Sequence, residues 1–239
     1  MNILAVGAHP DDVEINCAGT LAKYAAAGHK VFICTATSGN IGSATLPKDE
    51  IGAIRKAEAK KSASLIGAEY MCLDYDDELF YEDVDVRIKF INMVRHCKPD
   101  VIFTHNPKDY NPDHELTGKI ITDIQVMYPI SKIETEEEPC NIFPVVYYFE
   151  PASGLGCIPT DYVDITDYYD KKIEMFLCHE SQQAWMNDNY AGFNDDKSAF
   201  TNGVRINAEY RGMQCGVKYA EAFVKANDAY KVRPGSLLP

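Results

Sequence analysis

The segment from His9 to Asp12 has residue types that could bind a metal ion, because it places an imidazole and two carboxylates in one short turn after an apolar run. His9 and Asp12 are three residues apart, a spacing that can bring both side chains to one point where a strand turns into a helix. One nitrogen and one carboxylate oxygen suit zinc, and a catalytic zinc takes three protein ligands and leaves a position open for water. We therefore expect a third ligand from elsewhere in the chain.

A second polar segment, residues 105–114, contains two candidates for this third ligand, His105 and His114. His105 directly follows a predicted strand, so its role could be to structure the loop. His114 stands at the predicted start of a helix that continues over Glu115–Val126. We choose His114 as the third ligand.

Helix capping is the competing interpretation of the first segment. An aspartate after a strand often accepts hydrogen bonds from the first-turn amides of the following helix, and Asp11 or Asp12 could do only that. Two polar segments at the ends of two predicted strands favour the metal site over capping.

The surrounding elements predict where these segments lie. Short apolar runs alternate with helical patterns in the first half of the chain, which is typical of βαβ units and a mostly parallel sheet. Strands are predicted at residues 3–6, 30–37, 70–73 and 101–104, with helices at 13–28, from about 50 to 67, and at 86–97. In such sheets ligands bind beyond the carboxyl ends of the strands, where both polar segments begin. The first turn lacks the G-x-G-x-x-G pattern of dinucleotide-binding proteins.

The second half of the chain has a weaker pattern. Strands are predicted at 145–149 and 162–165, helices at 167–179 and 219–226, and a long irregular loop at 187–203. We expect this loop and residues 40–48 to form a rim that sets specificity. Residues 1–239 are interpreted as a single α/β domain, Rossmann-like, with a mostly parallel sheet flanked by helices and additional C-terminal strands and helices.

Charge and cysteine content limit the function classes. The chain has 23 basic and 36 acidic residues, a net charge of −13, which disfavours binding to nucleic acids and anionic membranes. Eight scattered cysteines without a C-x-x-C pair indicate buried thiols in a reducing compartment. The N-terminal apolar run is too short for a signal peptide or a membrane span. We therefore expect a cytoplasmic protein.

Several blocks of the sequence resemble the PIG-L/LmbE-like family of zinc-dependent N-acetylglucosaminyl deacetylases. The resemblance rests on residues 8–14, 19–22, 55–58, 65–67, 98–105, 112–114, 179–182 and 219–223, in that order. It implies a metal-dependent amide hydrolase that removes an N-acetyl group from an N-acetylglucosamine-type sugar or conjugate. The same resemblance implies zinc, or another divalent metal, held by His9, Asp12 and His114, with Asp11 as general base. It also allows a homo-oligomer.

Three further residues have weaker assignments. Arg55 resembles a family arginine that contacts substrate or released acetate, although a solvated helix charge is the alternative. Asp113 could orient an imidazole or substrate hydroxyls, or it could cap a helix. Asn111 stands where many family members have a histidine that assists the oxyanion, so the rate could differ. The resemblance assigns no role to His179 or Gln182. An amidase on another acyl-amine glycoconjugate and a binding homologue with weak turnover remain alternatives.

Overall fold

A computed structural model of the chain describes residues 1–151, 154, 156–190, 199–227 and 236–239, without the side chains of 187–190, 199 and 200. Its centre is a seven-stranded sheet with the order β3-β2-β1-β4-β5-β7-β6. The strands are β1 (Asn2–Gly7), β2 (Lys30–Thr37), β3 (Glu69–Tyr75), β4 (Val101–Thr104), β5 (Val145–Phe149), β6 (Asp161–Asp164) and β7 (Ala220–Lys225). The first five are parallel, and β7 runs antiparallel between β5 and β6.

Helices cover both faces of the sheet. They are α1 (Asp12–Ala26), α2 (Lys48–Ser64), α3 (Val84–Cys97), α4 (Pro112–Asp123), α5 (Tyr169–Phe176), α6 (Glu180–Tyr190) and α7 (Ala199–Cys215), with short 3-10 turns at Ile124–Val126 and Thr166–Tyr168. This architecture confirms the predicted Rossmann-like, mostly parallel sheet with flanking helices and further C-terminal elements.

Strand β1 lies at the centre of the core and is buried on both faces, which explains its continuous apolar sequence. Ile3 and Ala5 pack in the cluster that includes side chains of α1, α2, α5 and α7. Leu4 and Val6 pack on the opposite face with side chains of α3 and α4. Alternate side chains of β1 therefore pack against the helices on opposite faces of the sheet. This packing fixes the position of the turn after Gly7.

Two predictions for the second half of the chain are wrong. Residues 219–226 were predicted as a helix, but Ala220–Lys225 form β7, paired with β5 and β6. A short apolar run cannot be assigned by periodicity alone, and pairing on both sides decides it. The loop predicted at 187–203 is also wrong at its ends, since α6 continues to Tyr190 and α7 begins at Ala199. Residues 191–198 lie outside the described residues.

A buried ion pair fixes helix α1 against the C-terminal elements. The Glu221 carboxylate of β7 accepts hydrogen bonds from the backbone N–H groups of Gly19 (3.0 Å) and Thr20 (2.7 Å). Lys172 of α5 contacts Glu221 and donates to the carbonyl of Ile15 at 2.7 Å. In a regular helix the N–H of Gly19 would bond that same carbonyl. The ion pair therefore lies beside the backbone hydrogen bonds of α1 at Ile15 and Gly19, three and seven residues after Asp12.

The expectation of buried thiols holds for half of the cysteines. All eight cysteines are free thiols: Cys17, Cys34, Cys97 and Cys178 are buried, Cys72, Cys140 and Cys157 are half-buried, and Cys215 is exposed. Among the residues with described structure, no helix combines the length and apolar character needed to cross a lipid bilayer.

Candidate metal centre

The ends of three parallel strands meet at the carboxyl edge of the sheet, beside a cavity of about 590 Å³. The turn after β1 supplies His9, Asp11 and Asp12, and the loop after β4 leads to His114 at the start of α4. The loop after β3 contributes Asp77. All of these side chains line the cavity, as the position beyond the strand ends predicts.

Three donor atoms converge at this edge. Nδ1 of His9 lies 3.3 Å from Nε2 of His114. Oδ2 of Asp12 lies 3.5 Å from Nδ1 of His9, and its Oδ1 lies 3.3 Å from Nε2 of His114. Two imidazole nitrogens and a carboxylate that face one another at these distances form a metal-binding triad, and the donor set suits a divalent ion such as zinc.

Carboxylates stand behind both imidazoles. The Nε2 atom of His9 lies 2.9 Å from Asp77 and 3.3 Å from Asp113. Nδ1 of His114 lies 3.1 Å from Oδ1 of Asp109. Metal-binding histidines commonly present their second nitrogen to a carboxylate, which fixes the tautomer and the direction of the ring. These contacts orient the rings so that Nδ1 of His9 and Nε2 of His114 face Asp12.

His105 lies at the end of β4 and contacts the triad from behind. Its Nε2 accepts a hydrogen bond from the backbone N–H of Ala8 at 3.1 Å and lies 3.0 Å from Oδ2 of Asp12. Its ring stacks on the ring of His114, with centroids 3.9 Å apart. A nitrogen that accepts the Ala8 proton has its lone pair in use, so these contacts favour a supporting role over metal ligation.

Asp11 stands beside the triad in an unusual backbone conformation, with φ at 124°. It occupies the N-cap position of α1, but its side chain makes no capping hydrogen bond. The capping alternative is therefore wrong for Asp11. Burial raises the pKa of Asp11 to about 6, although the Arg55 guanidinium acts against the increase. The group is thus a carboxylate at neutral pH that titrates closer to neutrality than an exposed aspartate.

Arg55 projects from α2 into the buried edge of the site, so the alternative of a solvated helix charge is wrong. Its guanidinium donates to the carbonyl of Pro10 at 2.7 Å and to that of Gly39 at 3.1 Å. It also lies 3.4 Å from Oδ2 of Asp11. Gly39 has φ at 66°, and a Cβ there would stand 2.3 Å from the guanidinium, so this position requires glycine. Arg55 therefore joins the turn after β1 to the turn after β2.

Asn111 caps helix α4. Its Oδ1 accepts from the backbone N–H groups of Asp113 (2.8 Å) and His114 (3.2 Å), and its Nδ2 donates to Glu78 at 2.7 Å. The capping alternative for Asp113 is therefore wrong. The Asp113 carboxylate instead accepts from the N–H of Glu78 at 2.7 Å and faces His9.

Two residues of the site, Asp77 and Asp109, were missed in the sequence analysis. Asp77 follows β3, so its position after the carboxyl end of a third parallel strand was a usable signal. Asp109 lies between the two candidate histidines of one loop, which was a second such signal.

The charges of the triad depend on one another. Despite burial, His114 and His105 hold the pKa of Asp12 well below its usual range. Burial alone would lower the pKa of His114, but Asp12 and Asp109 raise it to about 9. The triad therefore holds a proton on His114 that an incoming metal ion must displace.

The Rossmann-like fold and the His-Asp-His triad define an α/β protein with a metal site at the carboxyl edge of its sheet. The chain belongs to the PIG-L family. The family model, described as GlcNAc-PI de-N-acetylase, matches residues 4–125, just over half of the chain. The matched region contains the triad and Asp11.

The individual relatives have low sequence identity to this chain, but they align with most of its length. The chain is 25% identical over 190 residues to 4-oxalmesaconate hydratase of Pseudomonas putida, covering 75% of this chain and 73% of the relative. It is 25% identical over 231 residues to diacetylchitobiose deacetylase of Thermococcus kodakarensis, covering 92% and 80%. The solved N,N'-diacetylchitobiose deacetylase from Pyrococcus horikoshii superposes with a TM-score of 0.81 at 26% identity, over 97% of this chain and 86% of that one.

Proposed function

We propose that this protein is a zinc-dependent hydrolase that removes the acetyl group from an N-acetylglucosamine-type sugar or conjugate. The observation that carries the proposal is the convergence of His9, Asp12 and His114 with an unligated carboxylate, Asp11, beside them. Membership of the PIG-L family and the likeness to chitobiose deacetylases support it.

The metal ligands in this proposal are Nδ1 of His9, the carboxylate of Asp12 and Nε2 of His114. When bound, zinc polarises the amide carbonyl and lowers the pKa of a water molecule towards about 7. Another divalent ion would use the same three donors. Asp77, Asp109 and Asp113 act through the imidazoles, because they hold the ring directions that bring the lone pairs together.

Asp11 is the proposed general base. Its carboxylate is ionised at neutral pH, lines the cavity and has no capping role, so it is free to take a proton from the attacking water. The leaving group is an amine, which departs only once protonated, and Asp11 can return the same proton to that nitrogen. Arg55 holds the turn that carries Asp11 in place.

We propose that Asn111 limits the rate of turnover. Its amide has two N–H groups, of which one is accepted by Glu78, and the residue lines the cavity. The second N–H can stabilise an oxyanion, but a neutral amide contributes less than a charged imidazole. We therefore propose slower turnover than in family members with histidine at this position.

Hydration of an oxalmesaconate-type acid is the competing activity, because one relative is named for it. Such a substrate carries more than one carboxylate, and those that the metal ion does not bind would require free cationic side chains. Among the described residues that line the cavity, Arg55 is the only arginine or lysine, and two backbone carbonyls and Asp11 already contact its guanidinium. The site therefore favours the deacetylase over the hydratase. An amidase with another acyl group would share the same mechanism.

The test combines metal analysis with a substrate panel. We expect one zinc per chain, and release of acetate and free amine from at least one N-acetylglucosamine derivative. The hydratase reaction is assayed on the same preparation as a competing activity. Absence of a bound divalent metal, or hydration of the acid without acetate release from any N-acetylated sugar, would overturn the proposal.

A further inference from the structure

Glu221 of β7 hydrogen-bonds to the backbone of helix α1 at a point where a helix normally needs no partner. Its carboxylate accepts from the N–H groups of Gly19 at 3.0 Å and Thr20 at 2.7 Å. Both groups lie inside α1, where an N–H ordinarily bonds the carbonyl four residues before it. The carboxylate therefore competes with the helix's own acceptors, and an insertion of this kind sets the direction of a helix.

Gly19 allows α1 to approach the C-terminal elements this closely. A Cβ added at Gly19 would stand 2.8 Å from Cδ1 of Ile165 and 2.9 Å from its Cβ. Ile165 directly follows β6 and is completely buried. Any larger residue in place of Gly19 would thus separate the helix from this side chain. The contact with Ile165 lies at the same level of α1 as the hydrogen bonds to Glu221.

Lys172 of α5 holds the next group of the same helix. Its ammonium pairs with Glu221 and donates to the carbonyl of Ile15 at 2.7 Å. Lys172 is 1% exposed and Glu221 is 4% exposed. A buried ion pair contributes little net stability, because the loss of hydration offsets the attraction between the charges. The hydrogen bonds that the pair makes to α1 are therefore its more specific effect.

The Ile15 peptide connects this ion pair with the turn that carries the site. Its N–H donates to the carbonyl of Asp11 at 3.0 Å, and its carbonyl accepts from Lys172. Beside it, the side-chain amide of Asn16 donates to the carbonyl of Asp12 at 2.7 Å. Ile15 and Asn16 also line the cavity. A single helical turn thus lies between Lys172 and the two aspartates.

This turn requires support because the backbone of Asp11 is strained. Its φ of 124° lies in a region that residues other than glycine rarely adopt. Such a conformation persists only where the surrounding structure fixes it. Arg55 holds the carbonyl of Pro10, immediately before Asp11. Lys172 and Glu221 hold the helix that follows it.

We propose that Lys172 and Glu221 are positioning residues for the metal site, because they fix the first turn of α1 and with it the carboxylates of Asp11 and Asp12. The inference rests on the proposed function, in which Asp12 is a ligand and Asp11 is the base. Neither Lys172 nor Glu221 lines the main cavity, so both act through the backbone of α1. Both also lie outside residues 4–125, which the family model matches.

The first test compares the visible absorption of cobalt-loaded proteins, which reports the coordination geometry of the ion. The variant is Lys172→Met/Glu221→Gln, which removes both charges together and leaves no unpaired buried ion. We expect its spectrum to differ from that of the parent, and its Co²⁺ affinity, measured by competition with a chelator, to be about tenfold weaker. Glu221→Asp keeps the charges and shortens the carboxylate by one methylene, so a smaller change in the same direction is expected.

Kinetics of the zinc-loaded enzyme provide the second test. The double variant is expected to lower kcat about 10- to 100-fold and to leave KM within about twofold, because the substrate contacts remain while the base and the ligand lose their alignment. Arg95→Met is the matched control. Arg95 is also a buried cation, 1% exposed, and it bonds the carbonyls of Tyr128 and Ile130 outside the cavity lining. Its loss is expected to lower stability towards urea while the cobalt spectrum and kcat stay at the parent level.

Each outcome decides the inference. A parent-like spectrum and affinity in every variant of the pair that folds would overturn it, since the pair would then only stabilise the fold. Equal spectral changes in Arg95→Met would also overturn it, because any loss of stability would produce them. If the parent binds cobalt but releases no acetate from any N-acetylated sugar, the proposed function fails and the spectra still decide the role of the pair. A parent that binds no divalent ion would overturn both.

Discussion

The carboxylate of Asp109 lies 3.1 Å from Nδ1 of His114, and Nε2 of the same ring faces His9 and Asp12. The Asp109 carboxylate therefore sets the orientation of the His114 ring. Asp109 also lies on the loop that leads from β4, so the supporting carboxylate and the ligand move together.

Asp109→Asn is expected to weaken zinc binding about 10- to 100-fold, because the amide cannot hold the imidazole as a carboxylate does. Competition with a chromophoric chelator measures the affinity. Asp123→Asn, at the far end of α4, is the control and is expected to leave zinc affinity unchanged. An Asp109→Asn protein with unaltered affinity would show that the contact does not position the ligand.

Asp11→Asn is expected to lower turnover by about 10²- to 10⁴-fold while zinc content stays at the parent level, since the amide cannot accept the proton of the attacking water. Acetate release and metal analysis are measured on the same sample. Activity equal to that of the parent would remove Asp11 from the mechanism.

The two histidines of the second loop are expected to respond differently to substitution. His114→Ala removes a ligand and abolishes zinc binding at micromolar concentrations, whereas His105→Ala retains a weakened site, because His105 contacts Asp12 and His114 from behind. Zinc content after gel filtration compares the two. Zinc retained by His114→Ala but lost by His105→Ala would reverse the assignment.

Metal binding is expected to strengthen as pH rises. Before an ion binds, the pKa of His114 is raised to about 9, because Asp12 and Asp109 outweigh burial, and that of His9 is also raised. A protonated ring must lose its proton to become a ligand, so zinc binding at pH 7 releases protons, that of His114 first among them. Titration calorimetry in two buffers of different ionisation enthalpy counts them. Affinity that is constant between pH 6 and 9 would contradict the raised pKa values.

Asn111→His is expected to raise turnover and to lower stability by about 1 kcal/mol, because imidazole assists the oxyanion but loses the cap on Asp113 and His114. Asn111→Ser keeps a capping oxygen without placing a second carboxylate beside Glu78, and it is the stability control. Urea unfolding and acetate release measure the two effects separately. Unchanged turnover in Asn111→His would show that this departure from the family pattern does not limit the rate.

Local sequence patterns in the first half of the chain were sufficient to predict its strands. They were also sufficient to predict that three metal-binding side chains converge. The strands at 30–37 and 101–104 were predicted with the observed bounds, because their apolar runs end sharply at turns. Because both polar segments follow parallel strands, His9 and His114 were predicted to lie close together. Asp77 was not predicted, because it follows β3 in an acidic run that resembles an ordinary solvated loop.

The second half depends on contacts between residues distant in sequence. Strand β7 forms because β5 and β6 pair with it on both sides, and no local pattern in residues 220–225 records those partners. The cavity walls on α6 and α7 were likewise hidden, since Trp185 and Asn207 acquire their position only when these helices close over the sheet edge.

The side chains of the site come from three separate crossovers between parallel strands. His9, Asp77 and His114 follow β1, β3 and β4, so no single loop of the chain contains the complete donor set with its supporting carboxylates. A metal ion at this triad would bind tightly only after β1 and β4 have paired, and its binding would then stabilise that pairing. We therefore expect metal uptake to follow assembly of the central sheet, so that bound metal marks molecules whose sheet has already formed.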